Sequence, residues 1–478
     1  HSLAMYPGLS HGASATIEAH GTQAQKDLFL PKLVQGDWTG TMCLTEPHCG
    51  TDLGMLRTKA VLQDNGSYSL TGTKIFISSG DHDLSNNIIH IVIARIPGSP
   101  EGTKGISLFI VPKFNINDDG TVSDQNGVTC GSIEHKMGIN GNATCVINFD
   151  SAKGFLIGDV NRGLNCMFTF MNAARIGVSN EGVAAAEAAF QGALAYAKDR
   201  LQMRSLTGPK NPQGAADPII VHPDVRRMLL TQKSIAEGGR ALVAYLAQLV
   251  DIEHAETDLV IKQNAATKLA LLTPISKAFL SELGFEATSH GVQIFGGHGF
   301  IKEWGMEQLM RDTKISCLYE GTTGIQALDL LGRKVLGTQG AIFKPFTDDV
   351  ETFCKENIAN ADMAEFIQPI IAYSKEWSEL TAVIGKKAAS NPDEIGGASV
   401  DYLMYSGYVT LAYFWAKSAQ VALKKLAEDA NEQSFYQAKI KTAQFYFQRM
   451  LPRAKGHAAC IEGGVKSMMS LDSEDFSF

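Results

Sequence analysis

Among the eight cysteines of this 478-residue chain there is no CxxC pair. Cys43, Cys49, Cys130, Cys145, Cys166, Cys317, Cys354 and Cys460 are dispersed. That spacing predicts reduced, mostly structural thiols in an intracellular, cytoplasmic protein and no disulfide framework. Positive charge is in deficit: 42 Lys and Arg stand against 50 Asp and Glu, a net charge of −8. The balance argues against a general nucleic-acid or membrane surface. No apolar run approaches the length of a membrane span. HExxH, paired metal spacing among the histidines and any Cys/His cluster are missing, so no catalytic metal is expected. The lack of GxSxG lowers any hydrolase reading. The chain opens at His1 with neither an initiator Met nor a signal-peptide pattern, and "SHGASATIEAHGTQAQKDLFLPKLVQGD" already reads as helical. It is therefore expected to begin partway into a domain.

What is present changes period three times. The pattern is helical to about Asp37, then strand-like from Thr41 to about Asp159, with "YSLTGTKIFIS", "NNIIHIVIAR", "GISLFIVPKF" and "ATCVINFD" as β-rich runs. Asn65-Gly66, Pro97-Gly98 and Asp119-Gly120 give turn signals between or beside them. A compact β-barrel or a pair of small sheets fits this region best. From Gly163 the period becomes helical, with Val183, Ala186, Phe190, Ala193 and Ala197 at three- and four-residue steps. "TGPKNPQGAADP" (207–218) breaks it as a loop, and "GGHGF" (296–300) interrupts it again. A further helical stretch begins near Ile342. Helices, sheet, helix bundle and more helices, segregated along the chain, make an α+β fold.

Several short stretches could carry chemistry. "CLTEPHCGTDLG" (43–54) places hydroxyls at Thr45 and Thr51 in a loop after a strand, suited either to a capped turn or to a polar heterocycle. In "TGTKIFISSG" the alternation puts Phe76 and Ser78 on one face, as core and surface residues or as a stacking and hydrogen-bonding pair. "QIFGGHGF" (293–300) is Gly-rich but lacks GxGxxG spacing and follows a helix, so it is no dinucleotide fingerprint. A tight interhelical turn is its default reading. Arg200, Arg204, Arg226 and Arg227 are candidate phosphate binders, each weak alone. At the start of "SCLYEGTTGIQALDL" (316–330), Ile315 just before it, Cys317 and Tyr319 alternate like a short buried strand or extended segment. Thr322 and Thr323 then cap a helix with Ile325, Leu328 and Leu331 as its apolar stripe. Glu320 between them is a helix-start acid favouring the macrodipole, or a catalytic carboxylate.

Taken in order, "CLTEPHCGTD", "TGTKIFIS", "QIFGGHGF...MRDTKI" and "YEGTTGIQ" resemble the acyl-CoA dehydrogenase family of flavoenzymes, over about Tyr6 to Gly332. The resemblance implies an end of an N-terminal helical domain (1–40), a middle β domain (41–160), a helical bundle carrying the base (161–338) and an added C-terminal helical domain (339–478). It implies FAD as cofactor and Glu320 as the base that removes the α-proton of an acyl-CoA thioester, while the β-hydrogen leaves as hydride. Thr45, Ser78 and Phe76 fall on flavin-ring contacts, and Thr51 on a position near the pyrophosphate and substrate. Arg200, Gln293 and Gly297 fall on contacts to the adenosine diphosphate half from a neighbouring subunit, and Thr322 on another FAD contact. Arg175 resembles the arginine at the CoA side of the pocket, and Gly321 lets substrate approach.

The implied partners are an acyl-CoA, an electron-transferring flavoprotein or similar acceptor, and further copies of the chain as a homodimer or homotetramer. Cys49, Asn172 and Gly324 depart from the family pattern, as does the long "RLQMRSLTGPKNPQGAADP". With "GSIEHKMGINGNATC" and the added helices, they point to a branch of larger bacterial dehydrogenases that includes those acting on 3-(methylthio)propanoyl-CoA in dimethylsulfoniopropionate catabolism. Other short- or medium-chain acyl-CoAs, an oxidase using O2, and a nonenzymatic binding protein on the same scaffold are the alternatives.

Overall fold

The computed structural model describes residues 2–117, 119–428 and 431–477. They form two compact units, His1–Gly177 and Val178–Phe478. In the first, α1 (Met5–His20) and α2 (Gln23–Gln35) precede the strands. Thr22 and Gln25 form a reciprocal capping box that starts α2, and Gly36, at φ 82, ends it. The strands are β1 (Trp38–Cys43), β2 (Lys59–Leu62), β3 (Tyr68–Ser78), β4 (Asn87–Arg95), β5 (Ile106–Pro112), β6 (Phe114–Ile116), β7 (Val122–Gln125), β8 (Val128–Ile133) and β9 (Thr144–Ile157).

β4 pairs with β5, β5 with β9, β9 with β3, and β3 with β2. β2 returns to β4 through Lys59 and Arg95, which closes a barrel and leaves fewer open edges. β1 adds parallel to β4, β8 adds to β9, and β6 with β7 forms a separate ribbon. Residues on β4 alternate between two cores. Ile89, Ile91 and Ile93 pack with Ala13, Ile17, Phe29 and Phe170, whereas Val92 and Ala94 pack with Leu70, Phe109, Val111 and Phe149. This double burial explains the almost unbroken apolar run of that strand. His90, on the same strand, is fully buried against the Thr41 hydroxyl at 2.7 Å, and burial drives its pKa down to about 3, so it stays neutral.

Helix α3 (Gly163–Asp199) runs from the first unit into the second, which continues with α4 (Pro223–Ala255), α5 (Leu259–Phe295), α6 (Gly297–Phe300), α7 (Met306–Thr313) and α8 (Thr323–Leu328). Then come α9 (Lys344–Asn357), α10 (Ala364–Ala388), α11 (Asp393–Ala427), α12 (Gln433–Phe445), α13 (Ala454–Gly463) and α14 (Lys466–Met469). α5 is buried over most of its length. Gly182 of α3 lies so near it that a Cβ there would come within 2.2 Å of the Leu280 carbonyl oxygen. α11 is buried from Tyr405 to Ala416; its Trp415 indole donates to the Ser234 carbonyl at 3.1 Å, and its Tyr408 packs edge-on to Phe279. No helix of the described residues is long and apolar enough to cross a membrane.

Two local expectations need correction. Residues 315–319 are not extended: Lys314–Cys317 winds into a 3-10 turn, and the N–H groups of Leu318 and Tyr319 both return to the Ile315 carbonyl. These local bonds satisfy a backbone that has no strand beside it. Nor does the apolar stripe continue evenly, since Leu328 is 42% exposed while Leu331 is buried. α8 stops at Leu328 and passes into a wider π-type turn, Asp329–Leu336, which shifts the phase of the side chains.

Candidate active site

Glu320 sits in the short connection between the 3-10 turn and α8. It has φ 56, and Gly321 follows with φ 91. A left-handed conformation in a non-glycine residue costs roughly 1–2 kcal/mol, so the surroundings must hold it. They do so through both carbonyls of the pair. The Gln326 amide donates to the Glu320 carbonyl oxygen at 3.0 Å, and the Lys277 ammonium donates to that of Gly321 at 2.6 Å. Lys277 also donates to the Ser316 carbonyl oxygen at 2.8 Å. Thr322 caps α8 by accepting from the Ile325 N–H, which leaves its hydroxyl proton for another acceptor. Thr323 donates to the Glu282 carboxylate at 2.6 Å, and the Tyr319 hydroxyl bonds to the Glu181 carboxylate. Burial lifts the Glu181 carboxyl above its ordinary range, against the pull of Tyr319 and Lys277. Burial also lifts the Tyr319 phenol, and the negative charges of Glu181 and Glu320 add to the effect.

In the first unit, Thr45 lies two residues beyond β1. Its carbonyl accepts from the Ile75 N–H at 2.9 Å, inside a bulge of β3 where the register against β9 shifts between Lys74 and Ile77. Phe76, at φ 58 in this bulge, is 60% exposed, and Ser78 beyond it is half-buried. The structure thus brings Thr45, Phe76 and Ser78 to one place. Thr51 is exposed on the same loop, beside the Glu46–Cys49 bridge.

Glu46 anchors that loop. Its carboxylate accepts from the fully buried Lys74 ammonium at 2.8 Å, from the Thr58 hydroxyl at 2.6 Å and N–H at 3.0 Å, and from the Arg57 N–H at 2.7 Å. Lys74 also donates to the Leu44 carbonyl oxygen at 2.8 Å. Burial alone would raise the Glu46 carboxyl, but the Lys74 charge and these hydrogen bonds hold it below its ordinary value. Arg175, elsewhere in this unit, is buried with its guanidinium over the Phe168 ring.

A third group lies in the second unit, at the ends of α3 and α5. Tyr196 stacks on Phe295 at 4.1 Å and bonds to His298, and Trp304 stacks on His298. This aromatic cluster fixes the surroundings of Arg200, Gln293 and Gly297, all three exposed. A Cβ on Gly297 would meet nothing within 4 Å. The other candidate arginines are engaged locally: Arg204 binds Asp217 and loop carbonyls, Arg226 the Ile220 carbonyl, and Arg227 Asp224.

Three family models match the chain in succession. They are the acyl-CoA dehydrogenase middle domain over residues 41–152, the acyl-CoA dehydrogenase C-terminal domain over 161–336, and an acetyl-CoA dehydrogenase C-terminal-like domain over 346–472. A 3-methylmercaptopropionyl-CoA dehydrogenase of Ruegeria pomeroyi is 42% identical over 98% of this chain and 79% of its own length. The chain belongs to the acyl-CoA dehydrogenase family. A butyryl-CoA dehydrogenase of Syntrophomonas wolfei is 36% identical over 99% of this chain and 79% of its own. The solved acyl-CoA dehydrogenase of Bacillus anthracis, complexed with FAD, shares the fold at a TM-score of 0.74 and 22% identity, covering 94% of this chain and 73% of that one.

Within this acyl-CoA dehydrogenase, reading the sequence missed the residues that hold the loops: Glu46, Lys74, Glu181, Lys277, Glu282 and Gln326. A signal existed for two of them. Lys74 lies on an apolar-alternating strand, and Lys277 stands in "LALLTPISKAFLSEL", an otherwise largely apolar helical run. A Cβ on Gly321 would come within 2.4 Å of the Gln326 amide nitrogen, at a φ that side chains rarely adopt. Gly321→Ala is therefore expected to lose roughly 2 kcal/mol of stability, measured by denaturant unfolding.

Proposed function

We propose that this enzyme converts an acyl-CoA to its trans-2-enoyl-CoA with Glu320 as base, and that its substrate is 3-(methylthio)propanoyl-CoA, giving 3-(methylthio)acryloyl-CoA. The observation that carries the reading is the Glu320 carboxylate on a left-handed turn whose two carbonyls are held by Gln326 and Lys277. The 42% identity to the Ruegeria enzyme supports the thioether substrate, and the butyryl-CoA dehydrogenase at 36% makes a short straight chain its competitor.

FAD is the cofactor, and the residues present suit it. The exposed Phe76 ring, in a β3 bulge bonded to the Thr45 carbonyl and two residues before Ser78, fits a flat heterocycle whose polar edges the Thr45 and Ser78 hydroxyls would meet. Arg200, Gln293 and the open Gly297 fit a pyrophosphate and ribose, reached in a neighbouring copy of a chain that works as a homodimer or homotetramer. Thr322 has a hydroxyl proton to offer from the start of α8. When bound, FAD supplies the acceptor for the β-hydride.

The remaining steps belong to the chain. Glu320 takes the α-proton on a carboxylate oxygen. That proton is only weakly acidic, so charge builds on the thioester oxygen and needs a fixed donor; the Glu320 N–H fills that role. Substrate displaces water from the carboxylate and raises its basicity, because desolvation disfavours the charged form. Gly321 leaves room for the acyl chain, while Thr51 and Arg175 contact the CoA portion. An electron-transferring flavoprotein or similar protein then receives the electrons.

Anaerobic bleaching of the flavin by a panel of acyl-CoAs tests the substrate. The methylthio-propanoyl thioester is expected to exceed butanoyl-CoA by roughly tenfold in limiting rate over half-saturating concentration, the scale of discrimination by one chain atom in an apolar pocket. Equal or faster bleaching by butanoyl-CoA would reassign the substrate.

A further inference from the structure

Lys277 lies on α5 with no exposed surface, amid Ile275, Ala278, Phe279 and Leu280, all fully buried. An ammonium in that position is costly to desolvate, and a Met or Leu would fill the space without the cost. Helix stability therefore gives no reason for the charge. Its hydrogen bonds do. The ammonium donates to two main-chain carbonyls, Ser316 and Gly321, which bracket Cys317–Glu320. The Ser316 carbonyl belongs to the last turn of a 3-10 helix, where acceptors run out of local donors. The Gly321 carbonyl belongs to the left-handed pair. One side chain thus ties both ends of the base loop to α5, a helix buried over most of its length. Gln326 fixes the peptide between Glu320 and Gly321, and the same ammonium acts on the neighbouring Glu181.

We propose that Lys277 is the positioning residue of the base: by holding the Ser316 and Gly321 carbonyls it sets the backbone from which Glu320 presents its carboxylate. The proposal rests on the reading of Glu320 as base. Lys277 touches neither substrate nor cofactor in this role. Its loss displaces the carboxylate and the Glu320 N–H while Thr51 and Arg175, outside this loop, keep their places, so the proton-removal step suffers more than affinity.

The test uses the full-length enzyme with FAD bound. Lys277→Met removes the hydrogen bonds to the Ser316 and Gly321 carbonyls, and the neutral, shorter Lys277→Gln retains a donor. The limiting rate of anaerobic flavin bleaching is expected to fall about 100-fold in Lys277→Met and about tenfold in Lys277→Gln, the scale set by ångström-level misplacement of a reacting group. The half-saturating acyl-CoA concentration and flavin content should stay within about threefold of the parent, since Thr45, Thr51, Phe76, Ser78, Arg175 and Arg200 lie outside the loop that Lys277 holds. Amide hydrogen exchange over residues 317–322 should rise selectively relative to α5, a readout independent of turnover.

A folded Lys277→Met with a parental limiting rate, or with only its half-saturating concentration changed, would overturn the proposal. Failure of both variants to fold would overturn it too, in favour of a purely structural lysine. Glu320→Gln in the same assay separates the two ideas. If it bleaches at the parental rate, the base assignment fails whatever Lys277 shows. If it is inactive while the Lys277 variants are not, the positioning role alone fails.

Discussion

Glu320→Gln is expected to retain FAD and bind acyl-CoA while losing flavin bleaching by at least about 10³-fold, a barrier increase of roughly 4 kcal/mol. The substitution is nearly isosteric and leaves the main chain unchanged. The hydrogen bonds that Gln326 and Lys277 make go to the carbonyls of Glu320 and Gly321, so the loop keeps its tethers. What disappears is a basic oxygen able to accept the α-proton. Stopped-flow absorbance of the flavin at saturating substrate checks the outcome. Turnover within tenfold of the parent would remove Glu320 from the role of base.

The second large effect concerns the loop that carries Thr45. Lys74→Met strands the Glu46 carboxylate, which is almost fully buried and loses its closest charge partner. Breaking one side of a buried pair costs about 3–5 kcal/mol, because the remaining charge stays desolvated. Denaturant unfolding should register that loss, and purified protein should carry little FAD, since the loop and the β3 bulge move apart together. The double variant Lys74→Met with Glu46→Gln removes the stranded charge and is expected to regain more than half of the stability. If the double variant is no more stable than Lys74→Met alone, the pair is not the anchor described here.

How far the sequence could be read depends on the range of the interactions involved. β3 is legible as a strand through its alternation and β4 through its run of β-branched residues, signals that act within a few positions. Closure of the barrel through Lys59 and Arg95 was not, since one long-range pairing decides it. The segment 315–319 was misread because three alternating apolar residues in five satisfy both an extended chain and a 3-10 turn. Absence of a strand to pair with decided between them. Likewise, alternation puts Phe76 and Ser78 on one strand face, but the positive φ and exposure of Phe76 come from a bulge that residue type does not announce.

By itself the sequence determined the family, because four ordered motifs, from "CLTEPHCGTD" to "YEGTTGIQ", each place chemistry-bearing residues on recognisable local elements. It also singled out Glu320 as an acid in unusual company. Only the tertiary structure decided what holds that acid in place. Lys277 and Gly321 are 44 residues apart, and Lys74 and Glu46 are 28 apart. A lysine in an apolar run declares that something must satisfy its charge, but which carbonyl or carboxylate does so is set by which backbone the fold brings within 3 Å. That selection is a property of packing, and no local pattern encodes it.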